Sequence, residues 1–139
     1  MIIDSHTHLI FRKSDALNSE LKKLLEVMER TSVDKACIVP FPEPEGKYFF
    51  WKENEIVDTA KILANVISEY PNKFFSLLWL NPVLPNEFSI KMVEKYIVNG
   101  PIDGVKLHIQ MNARDICMEP LAEVLQKYDI PVLFHAWYK

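Results

Sequence analysis

The residues best suited to metal chemistry in this 139-residue chain are its four histidines, His6, His8, His108 and His135. Each ends or follows a short apolar run typical of a β-strand, so all four are expected at the carboxyl ends of strands. A catalytic zinc ion usually takes three protein ligands and leaves a fourth position for water. His6, His8 and His135 can supply three imidazoles if the first and last strands curve towards each other, and the pattern predicts a metal site.

Lys106 is a second residue of chemical interest, because it shares one face of a predicted strand with His108. The same alternation places His6 and His8 on one face of the first strand, together with Asp4. A lysine that points into a barrel is unusual, since burial disfavours the ammonium form. We expect its side chain to reach the mouth and pair with Asp4 or a substrate carboxylate. An amine with a chemical role of its own is the alternative.

A long irregular stretch, residues 40–53, follows the second predicted strand and contains Phe49, Phe50 and Trp51. Its position puts it at the carboxyl end of the sheet, which is the functional end of parallel α/β folds. The three aromatic side chains either pack the loop onto the rim of the sheet or wall an apolar ligand pocket. The sequence leaves both interpretations open.

Apolar runs of strand length alternate with segments of helical period, which is the pattern of βα units on a parallel sheet. Five strands are predicted, at residues 1–6, 35–40, 74–80, 102–108 and 131–135. Four helical stripes lie between them, and Asn54 is the predicted cap of the second. Right-handed crossovers would lay the strands side by side in a curled sheet. The whole chain, residues 1–139, is interpreted as one α/β domain.

Composition excludes several classes of function. The net charge is −3, with basic and acidic residues interspersed, so no basic stripe for nucleic acid is present. No apolar run approaches the ~20 residues of a membrane span. Cys37 and Cys117 lie far apart and no secretory signal pattern is seen, so we expect reduced thiols in a cytoplasmic protein. The glycine fingerprints of nucleotide-binding loops and the G-x-S-x-G nucleophile motif are also missing.

Four segments, in order along nearly the whole chain, resemble one known family. They are DSHTH (4–8), the stretch from NEIVDTAK to LWLNP (54–82), GVKLH (104–108) and IPVLFH (130–135). The family is that of the amidohydrolase-related metal-dependent hydrolases, a branch of the amidohydrolase superfamily that also contains decarboxylases. The first segment is similar to the family's HxH metal motif, and the last to its fifth strand, which ends in a metal-binding histidine.

The resemblance implies a (β/α)8 TIM barrel with a divalent metal at the carboxyl mouth, zinc foremost, with manganese or iron as alternatives. His6, His8 and His135 match the family's metal ligands, and Lys106 and His108 are the candidate catalytic residues. Lys106 matches a lysine that is carboxylated in binuclear superfamily members and generally unmodified in this branch. The implied reaction is hydrolysis of a C–N or C–O bond in a small molecule, or a related decarboxylation.

The chain departs from the family pattern at several positions. Ile109 stands where the family has proline, and Ala136 and Trp137 stand where it has a small residue and glycine. The family's sixth-strand histidine and eighth-strand catalytic aspartate have no counterpart here. A (β/α)8 domain takes about 250 residues, so we expect a truncated or half barrel. Open sheet edges predict a homo-oligomer or a partner that completes the barrel.

Three functional interpretations remain. The first is a metal-dependent amidohydrolase or decarboxylase that is active once its barrel is completed. The second is a catalytically inactive half barrel that binds metal and serves in assembly. The third, a TatD-like metal-dependent nuclease, shares the HxH opening. It is disfavoured because Lys106 and His108 stand where that family has a glutamate, and because the surface carries no basic patch.

Overall fold

A curled, five-stranded parallel sheet is the centre of the molecule, seen in a computed structural model that describes residues 1–10, 14–41, 51–107 and 115–135. The strands are β1 (Ile3–Ile10), β2 (Lys35–Phe41), β3 (Phe74–Leu80), β4 (Gly104–Leu107) and β5 (Val132–Phe134). The helices are α1 (Ser14–Thr31), α2 (Glu53–Glu69), α3 (Asn86–Val93) and α4 (Glu119–Lys127). Each strand pairs in parallel with the next one along the chain. The predicted α/β half barrel of five strands and four helices is confirmed.

The second helix shows how local chemistry sets an element boundary. The Glu55 carboxylate accepts a hydrogen bond of 2.7 Å from the backbone N–H of Lys52, so α2 begins at Glu53 with Lys52 as its cap. The predicted cap at Asn54 is therefore wrong. The Glu55 carboxylate satisfies the backbone N–H of Lys52 in the manner of a capping box, so the helix is capped two residues before Asn54. The apolar stripe of α2 is buried as predicted, at Ile56, Ala60, Leu63 and Ile67.

The third helix ends in a single wide turn, a π turn over Glu94–Val98. The Asn99 amide Nδ2 donates to the carbonyl oxygen of Glu94 at 2.8 Å, which closes the helix end. A Cβ added at Gly100 would lie 2.5 Å from the carbonyl oxygen of Tyr96, so glycine is required where the chain turns towards β4. The stop predicted at these residues is confirmed, although the π turn itself was not predicted.

Burial divides the sheet into a closed centre and two open edges. Strands β2, β3 and β4 are largely buried, and all four residues of β4 are inaccessible. In contrast, most of β1 and the first residue of β5 are exposed. Within the described residues, β1 pairs only with β2, and β5 only with β4. No helix of the described chain is long and apolar enough to cross a bilayer.

Candidate metal centre

One small cavity of about 70 Å³ collects most of the residues singled out in the sequence. Its lining consists of His6, His8, Phe41, Trp79, Lys106 and His135. The three predicted ligands and the predicted lysine therefore meet although they come from β1, β4 and the end of β5. The other candidate catalytic residue, His108, lies outside the described residues.

Strand β1 contains a register shift that changes the faces on which its side chains lie. The register with β2 shifts between Asp4 and Thr7, and β1 continues to Ile10, so His6 and His8 lie within the strand and not at its end. The Asp4 carboxylate accepts hydrogen bonds from the Thr7 hydroxyl at 2.7 Å and from the backbone N–H of His6 at 3.0 Å. These bonds lower the pKa of Asp4, the Thr7 hydroxyl most strongly.

The prediction that Asp4 shares the functional face with the two histidines is wrong. An extra residue in β1 breaks the strict alternation on which that prediction depended. Asp4 is not among the described residues that line the cavity. Its carboxylate instead stabilises the backbone from which the His6 and His8 side chains project.

His8 is held in a definite orientation by its neighbours. Its ring nitrogen Nδ1 lies 3.0 Å from the carbonyl oxygen of Val39, and since a carbonyl only accepts, Nδ1 carries the proton. The lone pair is then on Nε2, which suits metal ligation. The ring also packs at 4.8 Å from the Phe41 ring and at 4.7 Å, edge on, from the ring of His6.

The other two imidazoles favour the neutral form. Partial desolvation is the main cause of a lowered pKa at both His6 and His135. Repulsion adds to it, because Lys106 and His8 act on both rings. A neutral imidazole is the form that binds a metal, so each of these side chains carries a free electron pair at neutral pH.

Lys106 is the one charged side chain among the fully buried residues of the described chain, with 2% of its surface exposed. It lies on β4 between Trp79 of β3 and Leu133 of β5 in the strand register. Burial lowers its pKa. The expected pairing with Asp4 is not found, since the described residues hold no ion pair between the two. The amine shares the cavity with the imidazoles, and its charge contributes to the lowered pKa of His6 and His135.

The donor chemistry of the cavity fits a divalent transition metal, because imidazole nitrogens suit zinc, iron and similar ions. The positions do not yet complete a site. Among the described residues, no three His, Cys, Asp or Glu side chains stand close enough to hold one ion between them. The His6 and His8 rings are adjacent, with their centroids 4.7 Å apart.

Aromatic side chains form the wall behind the imidazoles. The Trp79 ring lies 6.3 Å from the ring of Phe41 and 5.6 Å from that of Trp51. Asn81 fastens this wall, because its Nδ2 donates to the carbonyl oxygen of Trp51 at 3.1 Å and its Oδ1 accepts from the N–H of Val83. Trp51 thus packs against Trp79 but does not itself line the cavity, while Phe49 and Phe50 lie outside the described residues.

Sequence reasoning did not identify Phe41 or Asn81 as part of the site. Phe41 could have been found from the alternation of strand side chains. It is the last residue of β2 and lies on the same face of the strand as Cys37 and Val39. Asn81 gave no comparable signal, since its role depends on a carbonyl that is distant in the sequence.

Comparison with known proteins adds evidence on the fold. No protein-family model matches the chain, and no curated protein matches it either. Solved structures do match. A protein from Staphylococcus aureus described as an amidohydrolase superposes with a TM-score of 0.75 at 17% identity, covering 98% of this chain and 47% of its own.

Two decarboxylases with bound manganese match equally well. The 5-carboxyvanillate decarboxylase of Novosphingobium aromaticivorans has a TM-score of 0.75 at 14% identity, over 97% of this chain and 50% of that one. The dihydroxybenzoic acid decarboxylase of Polaromonas has a TM-score of 0.76 at 11% identity, over 99% and 50%. The chain therefore spans about half the length of these structures, and it has the fold of the half that it matches.

Proposed function

We propose that the chain provides the metal-binding half of a hydrolase-type or decarboxylase-type active site that acts on a small molecule. His6 and His8 of β1 and His135 after β5 would hold one divalent ion, zinc or manganese. The observation that carries the proposal is the cavity in which three imidazoles from opposite edges of the sheet meet a buried lysine.

The chain's own residues prepare the site for such an ion. The Val39 carbonyl fixes the His8 ring with Nε2 available, and partial desolvation together with repulsion from Lys106 and His8 lowers the pKa of His6 and His135, which favours their neutral form. When bound, a divalent ion supplies Lewis acidity that polarises a carbonyl or carboxylate oxygen of the substrate. In its ammonium form, Lys106 attracts an anionic substrate group towards the imidazoles, and the low local dielectric strengthens that attraction.

The cavity wall of Phe41 and Trp79, with Trp51 packed against Trp79, favours a flat, apolar substrate body and keeps water away from it. A planar acid with a carboxylate directed at Lys106 fits this combination of apolar wall and buried cation. Hydroxylated benzoates, which are the substrates named for the matching decarboxylases, are therefore the first compounds to test.

A second candidate function is metal binding without turnover. It is favoured by one observation: the described residues that line the cavity include no carboxylate that could move a proton. A chain of this kind would bind the ion and an anion but would leave both chemically unchanged. His108, whose surroundings are not described, would then have no catalytic role.

Metal titration separates these proposals from a chance gathering of histidines. Purified, metal-stripped protein is titrated calorimetrically with zinc and with manganese, beside His135→Ala and the double variant His6→Ala/His8→Ala. We expect close to one equivalent bound by the wild type and at least a tenfold weaker affinity in each variant, since ligand loss removes a metal bond. Cys117→Ser, which removes an exposed thiol, is the matched control and should bind normally.

Activity then separates the two candidates. Loaded protein is incubated with 2,6-dihydroxybenzoate and 5-carboxyvanillate, and carbon dioxide release is measured. A generic aryl amide and ester test the hydrolase activity. Metal-dependent turnover that disappears in Lys106→Met supports the enzyme, whereas tight metal binding with no turnover supports the binding protein. Absence of specific metal binding would refute both.

A further inference from the structure

The molecule exposes more surface than a closed domain of its mass. Its accessible surface is 8772 Å² for a mass of 16.2 kDa. A compact monomer of this mass is expected to expose about 7,500 Å², which leaves an excess of about 1,300 Å². A standard stable interface buries about 800 Å² on each partner. The excess is therefore large enough for one such interface.

Apolar residues are exposed on both edges of the sheet. On the β1 edge, Ile2 and Ile3 are 55% and 43% exposed, and on the β5 edge, Val132 is 43% exposed. Beside β5, an apolar groove of about 340 Å³ opens between the strand and α4, with Leu125 and Phe134 in its lining. Exposed edges with apolar side chains are unstable in isolation and promote pairing with another strand.

The two edges match each other in direction and in polarity. Ile3 and Val132 stand at the amino ends of β1 and β5, whereas His8 and His135 stand towards the carboxyl ends. All five strands are parallel, so β5 of one copy and β1 of another could lie side by side in the sense that every neighbouring pair already has. Apolar residues would then face apolar residues, and the imidazoles would face the same mouth.

We propose that two copies of this chain associate through these edges, β5 of each against β1 of the other, to close a single barrel-like assembly. The twofold axis runs along the strands, so both seams are equivalent and no free edge remains, as in other closed symmetric dimers. The second copy covers the open side of the cavity, where His6 and His8 are exposed. A second copy is favoured over an unrelated partner because the two edges complement each other within one sequence.

The test is the molar mass of the purified chain, measured by light scattering and by sedimentation over a concentration series from micromolar to hundreds of micromolar. We expect twice 16.2 kDa at the upper end and a reversible shift to monomer on dilution. A monomer throughout would overturn the proposal and point to a different partner. Open-ended oligomers would also overturn it, because a twofold closed pair leaves no edge for further growth.

Substitutions locate the interface. Val132→Asp and Ile3→Asp each place a charge in a seam, and each should weaken the dimer about tenfold or more, because an unpaired carboxylate would be desolvated there. Val83→Asp is the matched control, since Val83 is 55% exposed but follows the central strand β3. Equal dissociation by the control would contradict the proposal. Circular dichroism checks the fold of each variant. The wild-type dilution series tests dimer formation even if a variant fails to fold.

Discussion

The central strands and the edge strands of this sheet serve different purposes. Strands β2, β3 and β4 are buried, and they carry the apolar core that the helices cover. Most of β1 and the first residue of β5 are exposed, yet β1 and the residue that follows β5 supply all three candidate metal ligands in the described chain. Stability and the candidate chemistry are therefore separated across the sheet. Lys106 belongs to both regions, because it is buried on the central strand β4 and also lines the cavity.

The largest effect is expected for a truncation in the centre of the sheet. Leu78 of β3 is fully buried, so Leu78→Ala should lower the free energy of unfolding by about 3 kcal/mol through lost burial and a cavity. Val132→Ala on the edge should cost less than about 1 kcal/mol. Urea unfolding at low protein concentration measures both. Similar losses of unfolding free energy in the two variants would contradict the difference between the central and the edge strands.

A smaller loss is expected where the aromatic wall is fastened. Asn81→Ala leaves the buried Trp51 carbonyl and the Val83 N–H without their partner, which should cost about 2 kcal/mol. Asn86→Ala is the matched control, because its amide makes one exposed hydrogen bond to the Cys117 carbonyl. Thermal unfolding and tryptophan fluorescence report the two variants. An unaltered emission spectrum in Asn81→Ala would argue against the role of the two Asn81 hydrogen bonds in positioning the tryptophans.

Replacement of Lys106 tests the contact between the core and the site. Lys106→Met removes a buried cation at similar length, so stability at neutral pH should stay constant or rise by about 1 kcal/mol. Affinity for benzoate in the metal-loaded protein should fall. A strong loss of stability would instead indicate that the ammonium group holds the fold together.

The pH dependence of stability, compared between the wild type and Lys106→Met, tests the same contact further. The folded-state pKa of Lys106 lies below the ordinary value of 10.5, so between these two pKa values the unfolded chain binds more protons than the folded one. Wild-type stability should therefore gain from this group as the pH rises through that window. Lys106→Met should lack that gain, which unfolding curves over the alkaline range will show.

The smallest effect concerns the amino end of β1. Asp34 accepts a 2.6 Å hydrogen bond from the N–H of Ile2 and lies 3.6 Å from the terminal amine. The hydrogen bond from Ile2 is the main cause of its lowered pKa. Its stabilising contribution is therefore present above the ordinary value of 3.8 and is lost as the pH falls through the folded-state pKa. Asp34→Asn should cost little at neutral pH and nothing in strong acid.

Much of the fold could be predicted because the central strands are continuous apolar runs. KACIVP and FFSLLWL were assigned to within one residue of β2 and β3. The edge strand β1 was predicted too short, because polar residues continue the strand on its open side. The π turn was missed since no residue type marks it.

The site was predictable in its residues but not in its geometry. His6, His8 and His135, singled out from the histidine pattern, line one cavity with Lys106, and metal binding by them stays a prediction. The face of Asp4 could not be predicted, because a one-residue register shift depends on side-chain hydrogen bonds to the backbone. Phe41 and Asn81 act through contacts with residues distant in the sequence, which periodicity does not report.

The most direct test of the proposed metal site is to locate a bound metal ion. Crystals of the chain grown with manganese or zinc, measured at the absorption edge of the metal, locate the ion by its anomalous scattering. We expect one strong peak bonded to the imidazole nitrogens of His6, His8 and His135. A peak confined to Cys117 or to surface carboxylates, with the cavity empty at saturating metal, would contradict it.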